Sequence, residues 1–164
     1  MKKVVIALTL LVIVGIGGWF LWRPAPTVPD VTFTTIDGKT LHMQDLRGKV
    51  VLVKFWATSC VTCVKQMPGT IDTYRSFAPQ GYETIAVAMS YDPPNYVANF
   101  AESRNLPFPV ALDKTGELAR AFGDVTLTPI AFLIDKQGRI IKRYLGDYDR
   151  AEFHATLTKA LSAS

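Results

Sequence analysis

The chain has 164 residues, of which 49% are apolar and 20% are charged, and it contains only two cysteines. This length is sufficient for one domain with its own core, and the composition excludes a disordered chain, a collagen-like repeat and a disulfide-rich miniprotein. The formal net charge of +4 at pH 7 would allow a nucleic-acid or anionic-membrane partner, so its meaning depends on where the charges lie.

The N-terminal segment predicts a membrane anchor. Residues 4–22 are an uncharged run of nineteen residues, which as a helix nearly spans a hydrocarbon core of ~30 Å. Lys2 and Lys3 precede this run, and its aromatic end before Arg23 is typical of a membrane interface rather than of a cleavage site. We expect an uncleaved single-pass signal anchor over residues 1–23 in the inner (cytoplasmic) membrane, with the rest of the chain in the periplasm. A cleaved signal peptide and a buried helix are the alternatives.

The excess of positive charge belongs mostly to this segment. Beyond residue 23 the chain has 15 basic and 14 acidic residues, and no Lys/Arg cluster with interleaved aromatic residues follows. We therefore expect no nucleic-acid partner. The prolines at residues 24–30 predict a short extended linker, and we expect the folded domain at residues 31–164.

From residue 31 onward the sequence alternates between β-strand and amphipathic helical patterns. Continuous apolar runs indicate strands that are covered on both faces, and Asp-Gly or similar turns between β-formers indicate hairpins. In chain order, the predicted elements are a hairpin around Asp37-Gly38, a strand at 50–57, a helix from Cys60, a strand at 84–89, a helix opened by Pro93-Pro94, a strand at 108–112, a brief helix ending at Gly123, a hairpin of 130–134 with 140–145, and a helix after Asp149.

Two of the helices carry further local signals. The first has Cys63 and Met67 on one face and an expected kink at Pro68. The last begins with Asp149 and Glu152, which resemble a capping box. The order of the elements predicts an α/β fold in which a mixed β-sheet is flanked by helices.

Cys60 and Cys63 form a Cys-Val-Thr-Cys motif at a strand-to-helix junction. The helix dipole and the free backbone N–H groups stabilise a thiolate on Cys60, and Cys63, one turn later, is within reach to resolve a mixed disulfide. We expect this pair to cycle between dithiol and disulfide without a further cofactor. We expect no metal, because His42 and His154 are too far apart in sequence to complete a zinc site, and a structural disulfide across so small a loop would add little stability.

Residues 51–63, which end in this motif, and Thr128-Pro129 before a later strand resemble the thioredoxin superfamily. The early hairpin, the lead at residues 46–49 into the core strand and a central insertion are similar to the membrane-anchored TlpA/ResA/CcmG branch of redoxin-type thiol:disulfide oxidoreductases. The resemblance covers about residues 28–161. It implies a thioredoxin-like fold with an N-terminal β-hairpin and a central insertion.

The resemblance also implies roles for particular residues. Cys60 is then the attacking cysteine and Cys63 the resolving one, and Thr128-Pro129 is a cis-proline loop whose backbone pairs with an extended client segment. We count Trp56 with this substrate-binding surface. Taken by itself, Thr128-Pro129 also fits an ordinary trans-proline at a strand entry.

Three positions depart from the family's pattern and concern redox tuning. Ser59 stands where Trp commonly precedes the first cysteine, Lys54 where thioredoxins often have a buried Asp, and Gln66 where this branch usually has Glu. Lys54 either snorkels to the sheet edge or is a desolvated lysine of lowered pKa that stabilises a thiolate or accepts its proton. Because Gln66 cannot transfer a proton, our hypothesis is that Lys54 tunes the dithiol.

The resemblance implies a protein disulfide reductase that a DsbD/CcdA-type transmembrane donor re-reduces. Its implied clients are apocytochrome c, in cytochrome c biogenesis, or copper-site assembly proteins. The alternatives are a disulfide oxidase or isomerase and a copper-binding module that uses Cys60, Cys63 and Met67 as soft ligands. A peroxiredoxin is disfavoured, because Val53 and Ala57 replace the Pro and the Thr or Ser of the peroxidatic motif.

Overall fold

The computed structural model describes residues 26–163, so the predicted anchor at residues 1–23 lies outside the described part of the chain. Within residues 26–163, no helix combines the length and the apolar character needed to span a membrane. The strands are β1 (Thr32–Thr34), β2 (Thr40–His42), β3 (Val50–Trp56), β4 (Tyr82–Ala88), β5 (Val110–Leu112), β6 (Ile130–Ile134) and β7 (Ile140–Leu145). The α-helices are α1 (Val61–Phe77), α2 (Pro94–Ser103), α3 (Glu117–Ala121) and α4 (Arg150–Ser162).

A five-stranded mixed sheet in the order β5-β4-β3-β6-β7 forms the centre of the fold. Strand β3 lies in the middle, where it pairs in parallel with β4 and antiparallel with β6. Every residue of β3 is buried, which explains the continuous apolar run that predicted this strand. The expected α/β fold is confirmed, and β1 and β2 form the expected N-terminal hairpin as a separate two-stranded sheet.

The alternation of side chains along β3 divides the core into two faces. Val53 and Phe55 point toward the hairpin and α3. Leu52 points to the opposite face, where it packs with α4, and Trp56 on that same face packs with α1 and α2. Lys54 therefore lies between Leu52 and Trp56, on the face that α1 covers.

The insertion consists of α2 and β5, which lie between β4 and α3 in the chain. Strand β5 is an edge strand that pairs in parallel with β4. The turn of the N-terminal hairpin contacts β5 through a backbone hydrogen bond from Ile36 N–H to Val110 O, at 2.9 Å. Helix α1 continues across Pro68 as a single helix. The loop that joins β4 to α2 thus belongs to the insertion and leaves the sheet at the same end as the turn from β3 to α1, because β3 and β4 are parallel.

The described part of the predicted linker packs against the domain. The N–H of Val28 donates to Gly138 O at 2.9 Å, and the N–H of Ile140 donates to Pro26 O at 2.8 Å. Val28 is also buried in the core. A domain boundary drawn at residue 31 therefore leaves out residues that complete the edge of the sheet at β7.

Helix α4 begins with half of the predicted capping box. The Asp149 carboxylate accepts a hydrogen bond of 2.7 Å from the N–H of Glu152. The Glu152 carboxylate does not return this bond to Asp149, because it pairs with the ammonium of Lys142 on β7. Asp149 therefore caps α4 as its resemblance to a capping box suggested, while the Glu152 side chain forms an ion pair with a neighbouring strand.

The cap predicts a measurable loss of stability. We expect Asp149→Ala to lower the free energy of unfolding by about 1 kcal/mol, because the N–H groups of the first turn of α4 lose their acceptor. Asp149→Asn retains an accepting oxygen and should lose much less. Urea unfolding of both variants measures this, and equal midpoints for wild type and Asp149→Ala would contradict the assignment.

Candidate active site

Cys60 and Cys63 stand at the start of α1 and form a disulfide. Cys60 is the N-cap residue, and its Sγ accepts a hydrogen bond of 3.2 Å from the N–H of Cys63. Cys60 is partly exposed, whereas Cys63 is completely buried. An incoming sulfur therefore reaches Cys60 and is shielded from Cys63. The N-terminal end of the helix places its positive potential at the accessible sulfur.

The turn from β3 to α1 is held by Asp92, a residue that the sequence analysis missed. Asp92 lies in the loop between β4 and α2, and its buried carboxylate accepts hydrogen bonds from the N–H and the hydroxyl of Thr58, at 2.6 and 2.5 Å. Thr58 stands two residues before Cys60. Asp92 thus fixes the approach of the chain to the dithiol. Thr58 and Asp92 are 34 positions apart in the chain, so no local sequence pattern could have predicted this contact.

The peptide bond between Thr128 and Pro129 is cis. Pro129 is buried and leads directly into β6, whose first residue, Ile130, is paired with Phe55 near the end of β3. Because β3 and β6 are antiparallel, the end of β3 and the start of β6 lie at the same edge of the sheet. The cis-proline loop and the turn that leads to Cys60 therefore meet there.

Trp56 is not available to a client, which corrects its assignment to the substrate-binding surface. It is completely buried, and its ring packs against Phe100 of α2 with 5.1 Å between centroids. Trp56 is the last residue of a strand that is covered on both faces, so its large side chain belongs to the core.

Lys54 is completely buried and does not snorkel to the sheet edge. Its Nζ donates to Gln66 Oε1 at 2.8 Å and to Thr70 Oγ1 at 3.3 Å, and it lies 5.5 Å from the centroid of the Tyr148 ring. Burial lowers the pKa of Lys54 to about 8, while the negative charge of Asp147 acts in the opposite direction. Of the two interpretations of this lysine, the structure supports the desolvated one.

Gln66 connects Lys54 to the loop that follows β7. Its Nε2 donates to Gly146 O at 3.0 Å and to Asp147 Oδ1 at 2.9 Å, and this bond lowers the pKa of Asp147. The N–H of Gly146 in turn donates to Pro129 O at 2.9 Å. A chain of hydrogen bonds therefore runs from the buried ammonium to the cis-proline loop. An amide suits this place, because it accepts from Lys54 and donates to two oxygens.

The two histidines that were considered as metal ligands form hydrogen bonds elsewhere, away from the dithiol. The ring of His42 hydrogen-bonds to Thr32 on β1, and His154 on α4 hydrogen-bonds to Thr73. Across residues 26–163, no group of three or more His, Cys, Asp or Glu side chains is arranged to hold a metal ion. Met67 packs in the same apolar cluster as Cys63.

An accessible cysteine at a helix N-terminus, a buried partner one turn later and a cis-proline loop at the same sheet edge define a thiol:disulfide oxidoreductase of the thioredoxin-like class. Residues 24–160 match the family described as Redoxin, and the chain belongs to this family. The thiol-disulfide oxidoreductase ResA of Bacillus thuringiensis subsp. konkukian is 35% identical over 131 residues, which cover 80% of this chain and 75% of that protein.

Two further comparisons agree with this assignment. ResA of Bacillus subtilis is 33% identical over 126 residues, covering 77% of this chain and 69% of that protein. The crystal structure of a thiol:disulfide interchange protein of the thioredoxin family from Chlorobium tepidum matches with a TM-score of 0.78 and 28% identity, over 85% of this chain and 99% of that one. The membership of the thioredoxin superfamily that the sequence predicted is thereby confirmed.

The lowered pKa of Lys54 predicts that stability rises with pH. Between about pH 8 and the ordinary lysine value of 10.5, the unfolded chain keeps the Lys54 proton while the folded protein has released it. Because the unfolded state then binds more protons, the free energy of unfolding increases with pH over this range. We expect the wild type to gain about 2 to 4 kcal/mol relative to Lys54→Met.

Denaturant unfolding of the disulfide form at a series of pH values measures this difference without titration of the cysteines. Lys65→Met removes an exposed lysine from α1 and controls for the loss of one positive charge. Parallel stability curves for the wild type and Lys54→Met between pH 8 and 10.5 would show that Lys54 is not a desolvated ammonium.

Proposed function

We propose that this protein is an extracytoplasmic, membrane-anchored reductase of protein disulfides. The observation that carries the proposal is the pairing of an accessible Cys60 at the N-cap of α1 with a buried Cys63. Such a pair accepts one client sulfur at a time and can close into an internal disulfide. The ResA relatives support the same thiol chemistry.

The proposed exchange proceeds in two steps. The Cys60 thiolate of the reduced protein attacks one sulfur of a client disulfide, forms a mixed disulfide and releases the first client thiolate. The Cys63 thiolate then attacks Cys60 Sγ, which releases the second client thiolate and forms the Cys60–Cys63 disulfide. Two electrons pass to the client, whose two thiolates take up protons, so the exchange needs no cofactor beyond the dithiol.

We assign the stabilisation of the two thiolates to different groups. The helix N-terminus and the N–H of Cys63 stabilise the charge on Cys60. Burial disfavours a thiolate on Cys63, and we assign its compensation to Lys54. This lysine lies under α1, and its partner Gln66 follows Cys63 by one helical turn. Gln66 acts here as a positioning residue that holds the Lys54 ammonium.

This assignment predicts a shift in thiol titration. Replacing Lys54 by Met removes a positive charge from beneath α1, so we expect the pKa of Cys63 to rise, with a smaller rise for Cys60. The pH dependence of alkylation in single-cysteine variants measures both values. Lys65→Met, at a lysine that is 76% exposed, should leave them nearly unchanged. Equal thiol pKa values in the wild type and Lys54→Met would sink the proposed role of Lys54.

The compartment and the partners are part of the proposal. The apolar run at residues 4–22 favours a single-pass anchor in the inner membrane with the domain in the periplasm, where disulfides form and persist. A reductant in such a compartment needs a source of electrons, for which we propose a DsbD/CcdA-type transmembrane donor. Apocytochrome c and copper-site assembly proteins are the proposed clients.

The direction of exchange depends on the reduction potential of the dithiol. We expect a value near that of thioredoxin, about −270 mV, and far below that of a strong oxidant, about −120 mV. Equilibration with glutathione measures it, and a Cys63→Ser variant, which cannot resolve the mixed disulfide, should accumulate covalent adducts with clients.

Two results would replace this proposal. A potential near −120 mV would make the protein an oxidase or an isomerase. Tight Cu(I) binding by Cys60, Cys63 and Met67 without any disulfide exchange would make it a copper-binding module.

A further inference from the structure

A single loop of the insertion contacts both sides of the active site. Asp92 holds Thr58, two residues before Cys60, through two hydrogen bonds. Its neighbour Tyr91 reaches the other side, where its hydroxyl lies 3.4 Å from Thr128 Oγ1, directly before the cis-proline. The loop between β4 and α2 therefore borders the space between the dithiol and the cis-proline loop.

This space is bordered by exposed apolar side chains. Val61, directly after Cys60, is 82% exposed, and Leu127, directly before Thr128, is 62% exposed. These two are the most exposed of the large apolar and aromatic side chains in the described part of the chain. Tyr91, whose hydroxyl lies near Thr128, is 57% exposed. Exposed apolar or aromatic side chains are thus present on each of the three segments that border the dithiol and the cis-proline loop.

We propose that Tyr91 is the aromatic wall of the client cleft and selects clients with an apolar or aromatic residue next to the reactive cysteine. The occupant is an extended segment of a client protein, because the surface is continuous with the dithiol at which the client must bind. Ser59, which stands where Trp commonly precedes the first cysteine, offers no large apolar side chain beside Cys60, and we assign that part of the surface to Tyr91. This inference rests on the proposed exchange with protein clients, whichever direction that exchange takes.

The position of Tyr91 is well determined by its neighbours. The buried carboxylate of Asp92 anchors the backbone on one side, and the N–H of Asp92 donates to Met89 O at 2.9 Å. Pro93 and Pro94 restrict the backbone that follows. A tyrosine side chain on a held backbone has only two side-chain dihedrals to order when a client binds, so much of its contact area contributes to affinity.

The test compares Tyr91→Ala with Tyr96→Ala in the full-length protein. Tyr96 is a matched control, because it is a tyrosine with 58% exposure that lies on α2. The substrates are two disulfide-linked peptides that differ only in Phe or Ser beside the cysteine, and hydroxyethyl disulfide, which carries no apolar or aromatic side chain. Reduction rates by the dithiol form give kcat and KM separately.

We expect Tyr91→Ala to raise KM for the Phe peptide by about three- to tenfold, with kcat little changed. Its rates with the Ser peptide and with hydroxyethyl disulfide should match those of the wild type, as should every rate of Tyr96→Ala. Tyr91→Phe keeps the ring and should behave as the wild type.

Other outcomes overturn the inference. Equal KM values of Tyr91→Ala and the wild type for the Phe peptide would remove Tyr91 from the cleft while leaving the proposed function intact. A similar loss with hydroxyethyl disulfide, or a loss in Tyr91→Phe as large as in Tyr91→Ala, would assign Tyr91 a structural role. A wild type that reduces hydroxyethyl disulfide but neither peptide would overturn the proposed function itself.

Discussion

The hydrogen bond between the Lys54 ammonium and the Gln66 amide is the contact that joins the central strand to the active site. A charge buried in the interior is unfavourable by several kcal/mol unless neighbouring groups compensate for it. Here the compensation comes from the Gln66 oxygen, the Thr70 hydroxyl and the face of the Tyr148 ring. Because Gln66 also donates to Gly146, the position of the ammonium is coupled to the loop beside the cis-proline. The departures from the family's usual residues at positions 54 and 66 therefore form one unit.

The register of the sheet explains why this unit lies next to the chemistry. Strands β3 and β6 run in opposite directions, so one ends and the other begins at the edge where Cys60 and Pro129 meet. Strand β4 runs parallel to β3, so the insertion loop with Asp92, which follows β4, begins at this same edge. The Cys60 turn, the insertion loop and the cis-proline loop are thus each joined to a buried strand, and hydrogen bonds connect these segments to one another. Rigid delivery of this kind keeps reacting groups in place for exchange.

Sequence patterns predicted most of this fold but less of the site. Apolar runs and the Cys-x-x-Cys spacing are local signals, so the strands, the helices and the dithiol could be read directly. The burial of Lys54 could not, because it depends on α1 packing over the middle of β3. Asp92 escaped notice since its partner is distant in sequence, and the Glu152 side chain pairs instead with Lys142 on another strand. Trp56 was misassigned because a strand covered on both faces buries even its terminal aromatic residue.

The hydrogen bonds of residues 26–28 determine which end of the domain lies next to the N-terminal segment. They attach to the turn between β6 and β7, at the end of β6 opposite the cis-proline. Five residues of β6 separate the two ends of the strand, about 17 Å at the usual strand rise. In the chain, Pro24 and Ala25 stand between Arg23 and Pro26, whose carbonyl accepts the hydrogen bond from Ile140. Under the membrane attachment proposed above, the end of the domain next to residue 26 is the one held near the anchor, and the dithiol lies at the other end of β6.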